Sequence, residues 1–165
     1  MFDIRPAVPE DAGELLTVQR AAFVDEAQAC GDPFVLPLTE GLERIGGLLR
    51  QQDVLVLKAV EGGRIVGAVR VGVSGANGIV SRLAVVPDRR RRGIATALLT
   101  RGEEEVRARR PEVASLTLFT GAQSAREQRL YRGRGFAVTH RERVADHLVM
   151  VHMRKELTAV SAGPW

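Results

Sequence analysis

Apolar positions recur along this chain with periods that divide it into strands and helices. Phe2-Asp3-Ile4-Arg5 alternates and predicts a short first strand. Pro6 to Asp11 predicts a helix start, because proline is tolerated in a first turn and acids favour its positive end. Leu15, Val18 and Ala22 continue the apolar stripe, with Leu16 and Phe23 broadening it. Gly31, Pro33 and Pro37 punctuate Val24 to Pro37, which predicts a loop or broken helix. Leu42, Ile45, Leu48 and Leu49 predict a second helix from about Leu38 to Arg50.

Two β-branched runs follow, Val54 to Val60 and Ile65 to Val71, on either side of Glu61-Gly62-Gly63-Arg64; together they predict a hairpin. Gly67 inside the second run marks a bulge or close packing. Gly72 to Gly78 reads as a loop leading to a central strand with Ile79, Val80, Leu83, Val85 and Val86, which stops at Pro87-Asp88. Beyond it, Ile94, Leu98, Gly102 and Val106 lie four apart on a helix from about Gly93 to Arg109, and Pro111 blocks its continuation. Ser115 to Phe119 predicts another strand. A strand, long helix and strand in this order imply a right-handed parallel crossover. Ser124 to Tyr131 predicts a helix ending at Gly135, Ala137 to His140 starts a sixth strand and His147 to Arg154 forms a seventh. Residues 1–157 thus read as a single α/β domain and 158–165 as a frayed tail.

Composition changes this picture little. The chain of 165 residues, 45% hydrophobic with mean hydropathy −0.04, has ordinary globular proportions. No apolar run approaches the roughly 18 residues of a membrane span, so no membrane partner is expected. Met1 to Arg5 lacks a signal peptide's basic start and apolar centre, and the expected location is cytoplasmic. The single cysteine, Cys30, falls in the predicted loop and reads as a bystander thiol; no Cys/His cluster suggests a metal.

Charge adds more. The net charge is +4, from 22 Arg and two Lys (Lys58 and Lys155) against 20 acids. Residues 1–60 hold five basic and ten acidic side chains, net −5; residues 61–165 hold nineteen and ten, net +9. That division suits an anionic cofactor in the second part and a cationic substrate near the first. A basic chain also raises nucleic-acid binding, but one Tyr and one Trp offer little base stacking, and no nucleic acid is expected as partner.

The stretch with the most chemistry is the turn after the central strand. Arg89 to Arg92 precede Gly93-Ile94-Ala95-Thr96, so a basic turn opens a helix. The first amides of a helix have no internal partner and favour an anion beyond the helix start. Gly93 and Ala95 let backbone come close to a ligand, and arginine forks suit phosphate oxygens. The same letters recur at Arg132 to Ala137, where they end a helix, so that copy carries no such meaning.

Arg90-Arg91-Arg92-Gly93-Ile94-Ala95, with Val85-Val86-Pro87-Asp88 before it, resembles the acyl-CoA-binding motif of the GNAT N-acetyltransferase superfamily. The helix carrying Leu130-Tyr131 and ending at Gly135-Phe136 resembles the second hallmark of that family. The resemblance implies a mixed, mostly antiparallel sheet of six or seven strands with about four helices. It also implies two splayed parallel central strands that open a slot for pantetheine. The cofactor-binding residues it implies are Arg90, Arg91, Arg92, Gly93, Ile94, Ala95 and Thr96 around the diphosphate. Leu83, Ala84 and Val85 follow along the pantetheine arm, with Ser124, where the family often has Asn, and Arg126.

The activity so implied is acetyl transfer from acetyl-CoA to a primary amine by direct attack, without a metal or a covalent intermediate. Tyr131 is then the general acid toward the departing thiolate, since a phenol with a reference pKa of about 10 is protonated at neutral pH. Asp25 and Glu26 are the acids chosen for the substrate side. Asp32, Glu40 and Glu43 share the region, and His140, His147 and His152 are further candidate bases. Two alternatives stay open at this stage: a CoA-binding sensor without turnover and a basic nucleic-acid-binding domain. The acceptor, the acyl length and the oligomeric state, a homodimer included, are left open.

Overall fold

The computed structural model describes residues 1–157. Seven strands form one sheet: β1 (Asp3–Pro6), β2 (Val54–Glu61), β3 (Arg64–Ser74), β4 (Asn77–Val85), β5 (Ser115–Gly121), β6 (Ala137–Ala145) and β7 (Leu148–Glu156), in the order β1-β2-β3-β4-β5-β7-β6. Five helices accompany them: α1 (Ala12–Cys30), α2 (Leu36–Thr39), α3 (Leu42–Leu48), α4 (Ile94–Arg109) and α5 (Ala125–Gly133). Every neighbouring pair is antiparallel except β4 and β5, which α4 joins by a crossover. The expected frayed tail, 158–165, lies outside the described residues.

Three features depart from the sequence expectations. First, α1 does not stop near Val24 but runs to Cys30, where Gly31 adopts a left-handed φ of 68° and terminates it. Ala27 and Cys30 continue the buried stripe of Leu15 and Val18, so burial carries the helix through residues expected to be loop. Cys30 is therefore a buried helical thiol. Second, the expected helix Leu38–Arg50 is two helices, broken at an extended Glu40. The Glu40 carboxylate binds Arg70 and Arg82 on the sheet, and that anchorage competes with helical continuity. Third, the expected loop Gly72–Gly78 is mostly strand: Ser74 pairs with Asn77, leaving a two-residue turn in which Gly75 has φ 59°.

The apolar row of α4 packs on the sheet as its spacing requires. Ile94, Leu98 and Val106 are almost fully buried. Gly67 makes the docking tight: a Cβ there would lie 2.9 Å from the Ala84 carbonyl oxygen, 3.0 Å from Ile94 and 3.1 Å from Leu98. Gly67→Ala is expected to destabilise the fold by about 2 kcal/mol through overpacking, read as a lower denaturant midpoint with an unchanged slope. At the far edge, β6 pairs only with β7 and is exposed along nearly its whole length.

Candidate functional site

The parallel pairing of β4 and β5 lasts only from Asn77–Ser115 to Ile79–Thr117. Beyond those three pairs the strands part. The last four residues of β5, Leu118 to Gly121, thus extend for about 13 Å with β7 as their hydrogen-bonded neighbour and none on the β4 side. On the facing side, β4 bulges: Ala68 pairs with Ala84 while Arg70 pairs with Ser81, so Arg82 and Leu83 oppose Val69 alone. Arg82 takes a left-handed φ of 53°, costly for a side chain with a Cβ, and its guanidinium bonds to Glu40 hold it there. An extra residue in β4 frees backbone amide from the ladder at the edge of the opening.

The basic turn sits at one end of this opening. After Pro87–Arg89, Arg91 and Gly93 have left-handed φ values of 65° and 79°. A Cβ at Gly93 would meet nothing within 4 Å, so the glycine is required by its backbone angle and leaves open space before α4. No side chain caps α4, and its first amides keep their donors for a ligand. The four arginines differ sharply. Arg89 donates to Glu61 at 2.6 Å, and Arg64 grips Asp88 with two bonds of 2.9 Å, fastening the turn to the β2–β3 hairpin. Arg90 pairs with Asp25 and donates to the Ala22 carbonyl, fastening it to α1. Arg91 and Arg92 are exposed and make no hydrogen bond or ion pair with the described residues. Two arginines build the turn, and two are available for phosphate.

Helix α5 closes the other wall. Gln128 donates to the carbonyls of Gly121 and Ala122, seating the helix on the end of β5. Tyr131 is buried edge-on against Phe136, with ring centroids 5.9 Å apart. Burial, together with the charges of Glu127 and Glu26, pushes its phenol well above the usual tyrosine range. The hydroxyl makes no hydrogen bond to the described residues and is free to donate. Ser124, at the start of α5, donates to Glu26 at 3.4 Å. Arg126 is exposed and unpaired.

The substrate-side acids separate by environment. Asp25 is committed to Arg90. Glu26 reaches from α1 toward Gly121 and Ser124; burial and the nearby Glu127 raise its carboxyl pKa above the ordinary value. Asp32 bonds His147 at 3.0 Å, which lowers its pKa and ties the segment after α1 to the β6–β7 turn. Glu40 sits between two arginines: burial pushes it up, but bonds from Arg70 and Gln19 and the charges of both arginines hold it at about 2. Glu43 is exposed. His152 bonds Glu142 at 2.9 Å and stacks on His140 with centroids 4.2 Å apart. Of the expected residues, Arg91, Arg92, Gly93, Ile94, Ala95 and Thr96 form the turn and the first turn of α4, Leu83, Ala84 and Val85 lie in and just after the β4 bulge, with Ala84 and Ile94 buried, Tyr131 is on α5, and Ser124 and Glu26 meet at the end of β5. Sequence reasoning did not single out Arg82, Arg70 and Gln19. Arg70, a charge interrupting an apolar strand, was the one available signal.

A family model described as the acetyltransferase (GNAT) domain matches residues 32–157. The chain belongs to this GNAT family. Solved structures share the fold over nearly the whole chain. The ribosomal-protein-S18-alanine N-acetyltransferase of Escherichia coli is 18% identical with a TM-score of 0.80, covering 100% of this chain and 99% of its own. The PaiA N-acetyltransferase of Thermoplasma acidophilum, solved with coenzyme A, is 19% identical with a TM-score of 0.76, covering 95% and 99%. Arabidopsis thaliana NAA60, in complex with a bisubstrate analogue, is 19% identical with a TM-score of 0.77, covering 96% and 99%. No curated protein sequence matches the chain. Among the described residues no group of three or more His, Cys, Asp or Glu side chains is placed to hold a metal, and no helix is long and apolar enough to cross a membrane.

Proposed function

We propose that this GNAT protein transfers the acetyl group of acetyl-CoA to a primary amine, of a small molecule or a protein, by direct attack. The observation that carries the proposal is the juxtaposition of an uncapped helix start, two unpaired arginines and an opened strand edge with a free phenol on the facing wall. Such a cleft suits a ligand with a diphosphate at one end and a thioester on an extended arm at the other. The neighbour solved with coenzyme A supports an acyl-CoA donor, and the N-acetyltransferase names of two neighbours support an amine acceptor.

In this proposal Arg91, Arg92 and the amides of Gly93 to Thr96 bind the diphosphate. Arg90 acts on the same turn indirectly, through its tie to α1, and Arg126 meets the nucleotide end. The amides of the Leu83–Val85 edge hydrogen-bond the pantetheine arm and stabilise the oxyanion that forms when the amine adds to the thioester carbonyl. Tyr131 donates its proton to the departing thiolate; burial keeps the phenol protonated at neutral pH, and its unpartnered hydroxyl is free to reach the sulfur. Ser124 positions the start of α5.

The test mixes the protein with acetyl-CoA and a panel of amines, with acetylated products identified by mass. Tyr131→Phe is expected to lower kcat by roughly 10²-fold while leaving acetyl-CoA affinity unchanged, because the ring and its packing survive. Unaltered kcat in that variant removes Tyr131 from the mechanism. Tight acetyl-CoA binding without acetylation of any amine removes the enzymatic proposal itself.

A further inference from the structure

We infer that Glu26, carried across the cleft by the uninterrupted C-terminal half of α1, takes the proton from the acceptor amine. The inference rests on the acetyltransfer proposal above and names the base that the reaction requires. An alkyl ammonium has a reference pKa of about 10.4, so at neutral pH the acceptor arrives protonated and must lose a proton before its nitrogen can attack.

Position comes first. Glu26 projects from α1 to the end of β5: its Oε1 lies 3.4 Å from the Ser124 hydroxyl and 3.4 Å from where a Cβ on Gly121 would stand. Gly121 lies four residues beyond the last β4–β5 pair, on the opened side of the sheet. The absence of a side chain at Gly121 leaves room for the carboxylate. Glu26 is close enough to Tyr131 to raise the phenol's pKa, and close enough to Arg82 in the β4 bulge to feel its charge. The carboxylate thus sits at the end of β5, within electrostatic reach of both the β4 bulge and the Tyr131 phenol.

The other candidates, apart from the exposed Glu43 on α3, are occupied. Asp25 is bound to Arg90, Asp32 to His147, and Glu40 to Arg70 and Arg82. His152 is bound to Glu142 and stacked on His140 in the β6–β7 pair. The groups acting on Glu26 come from three elements: Arg82 on β4, Gly121 on β5, and Ser124 with Glu127 at the start of α5. Burial and Glu127 make the carboxyl more basic, while the Gly121 amide, the Ser124 hydroxyl and Arg82 pull the other way; the net direction is upward. A carboxylate so tuned is a stronger proton acceptor than an exposed one.

The steps balance. Glu26 accepts one proton from the ammonium, directly or through one water. The freed nitrogen lone pair forms the C–N bond, the C–S bond breaks, and the sulfur takes the Tyr131 proton. The second proton lost from nitrogen restores the phenol, and Glu26 releases its own to solvent. The sum is ammonium plus acetyl-CoA giving amide, CoA thiol and one proton.

The experiment compares full pH–rate profiles of the wild type, Glu26→Gln and Glu26→Asp, with acetyl-CoA affinity measured alongside by calorimetry. Glu26→Gln is expected to lower kcat at pH 7 by about 10²-fold with acetyl-CoA affinity unchanged. Its rate should then climb with pH as the amine approaches its own pKa of about 10.4, while the wild-type rate levels off earlier. Glu26→Asp should retain part of the rate. A Glu26→Gln profile that matches the wild type overturns the assignment. So does one that is lowered equally at every pH, the mark of a purely structural role. A wild-type protein that acetylates no amine overturns the acetyltransfer proposal, and Glu26 as its base with it. That failure is seen before any variant is made.

Discussion

Reversing both free arginines of the turn, Arg91→Glu with Arg92→Glu, is expected to weaken acetyl-CoA binding by about 10³-fold. Each substitution removes a charge-assisted donor to phosphate and puts a like charge in its place. The effect should shrink as salt is raised, because exposed charges are screened within about 8–10 Å at ordinary ionic strength. Thermal stability should change little, since neither side chain makes a hydrogen bond or ion pair and Arg92 contributes only its charge toward Glu61, which Arg89 already binds. Arg90 is the informative contrast: it is fixed to Asp25 and Ala22, so its loss should loosen the turn and α1 together. Calorimetric titration of acetyl-CoA checks the affinity, and thermal denaturation checks the fold. Undiminished affinity in the double variant would place the diphosphate somewhere else.

Glu40→Gln is expected to destabilise the protein by about 3 kcal/mol, read by urea denaturation. Arg70 and Arg82 are only 13% and 16% exposed, and the substitution leaves two like charges facing each other with no carboxylate between them. The pH dependence has a definite sign. The Glu40 carboxyl is held at about 2 against an ordinary 4.5, so its contribution is complete above pH 4.5 and fades as pH falls toward 2. With solvent screening allowed for, that contribution is roughly 2 kcal/mol. Wild-type stability should therefore fall across this window by more than that of Glu40→Gln. A further expectation follows from geometry: because these bonds hold Arg82 in its left-handed conformation, the β4 bulge should relax in the variant and kcat should fall as well.

Much of the architecture was legible because local pattern and global packing agree. The four-residue row of α4, the Glu61–Arg64 turn and the strand–helix–strand order each specify an element that the sheet then uses without revision. The geometry of the turn after β4 was legible for the same reason: Pro87 stops the strand, and Gly93 takes the left-handed angle before the helix. Long-range pairing was not legible. Nothing near Arg82 in the sequence signals a positive φ, because the partner that holds it there, Glu40, is 42 residues away. Likewise the broken second helix and the extended α1 follow from what Glu40, Ala27 and Cys30 meet across space. Glu26 stood among five acids of one region with no local mark to separate them, and its distinction comes from the strand end and helix start it faces. Among the motif arginines, the letters alone could not divide Arg89 and Arg90, which are tethered, from Arg91 and Arg92, which are not.

The uncovered edge of the sheet has a consequence for how such a protein can diversify. Residues on α1 are tied to the turn after β4 through Asp25 and Arg90, so altering either element disturbs the other. Strand β6 carries almost no share of the core. Its side chains can be exchanged with little thermodynamic penalty, so that edge tolerates sequence change more readily than the elements packed on the core.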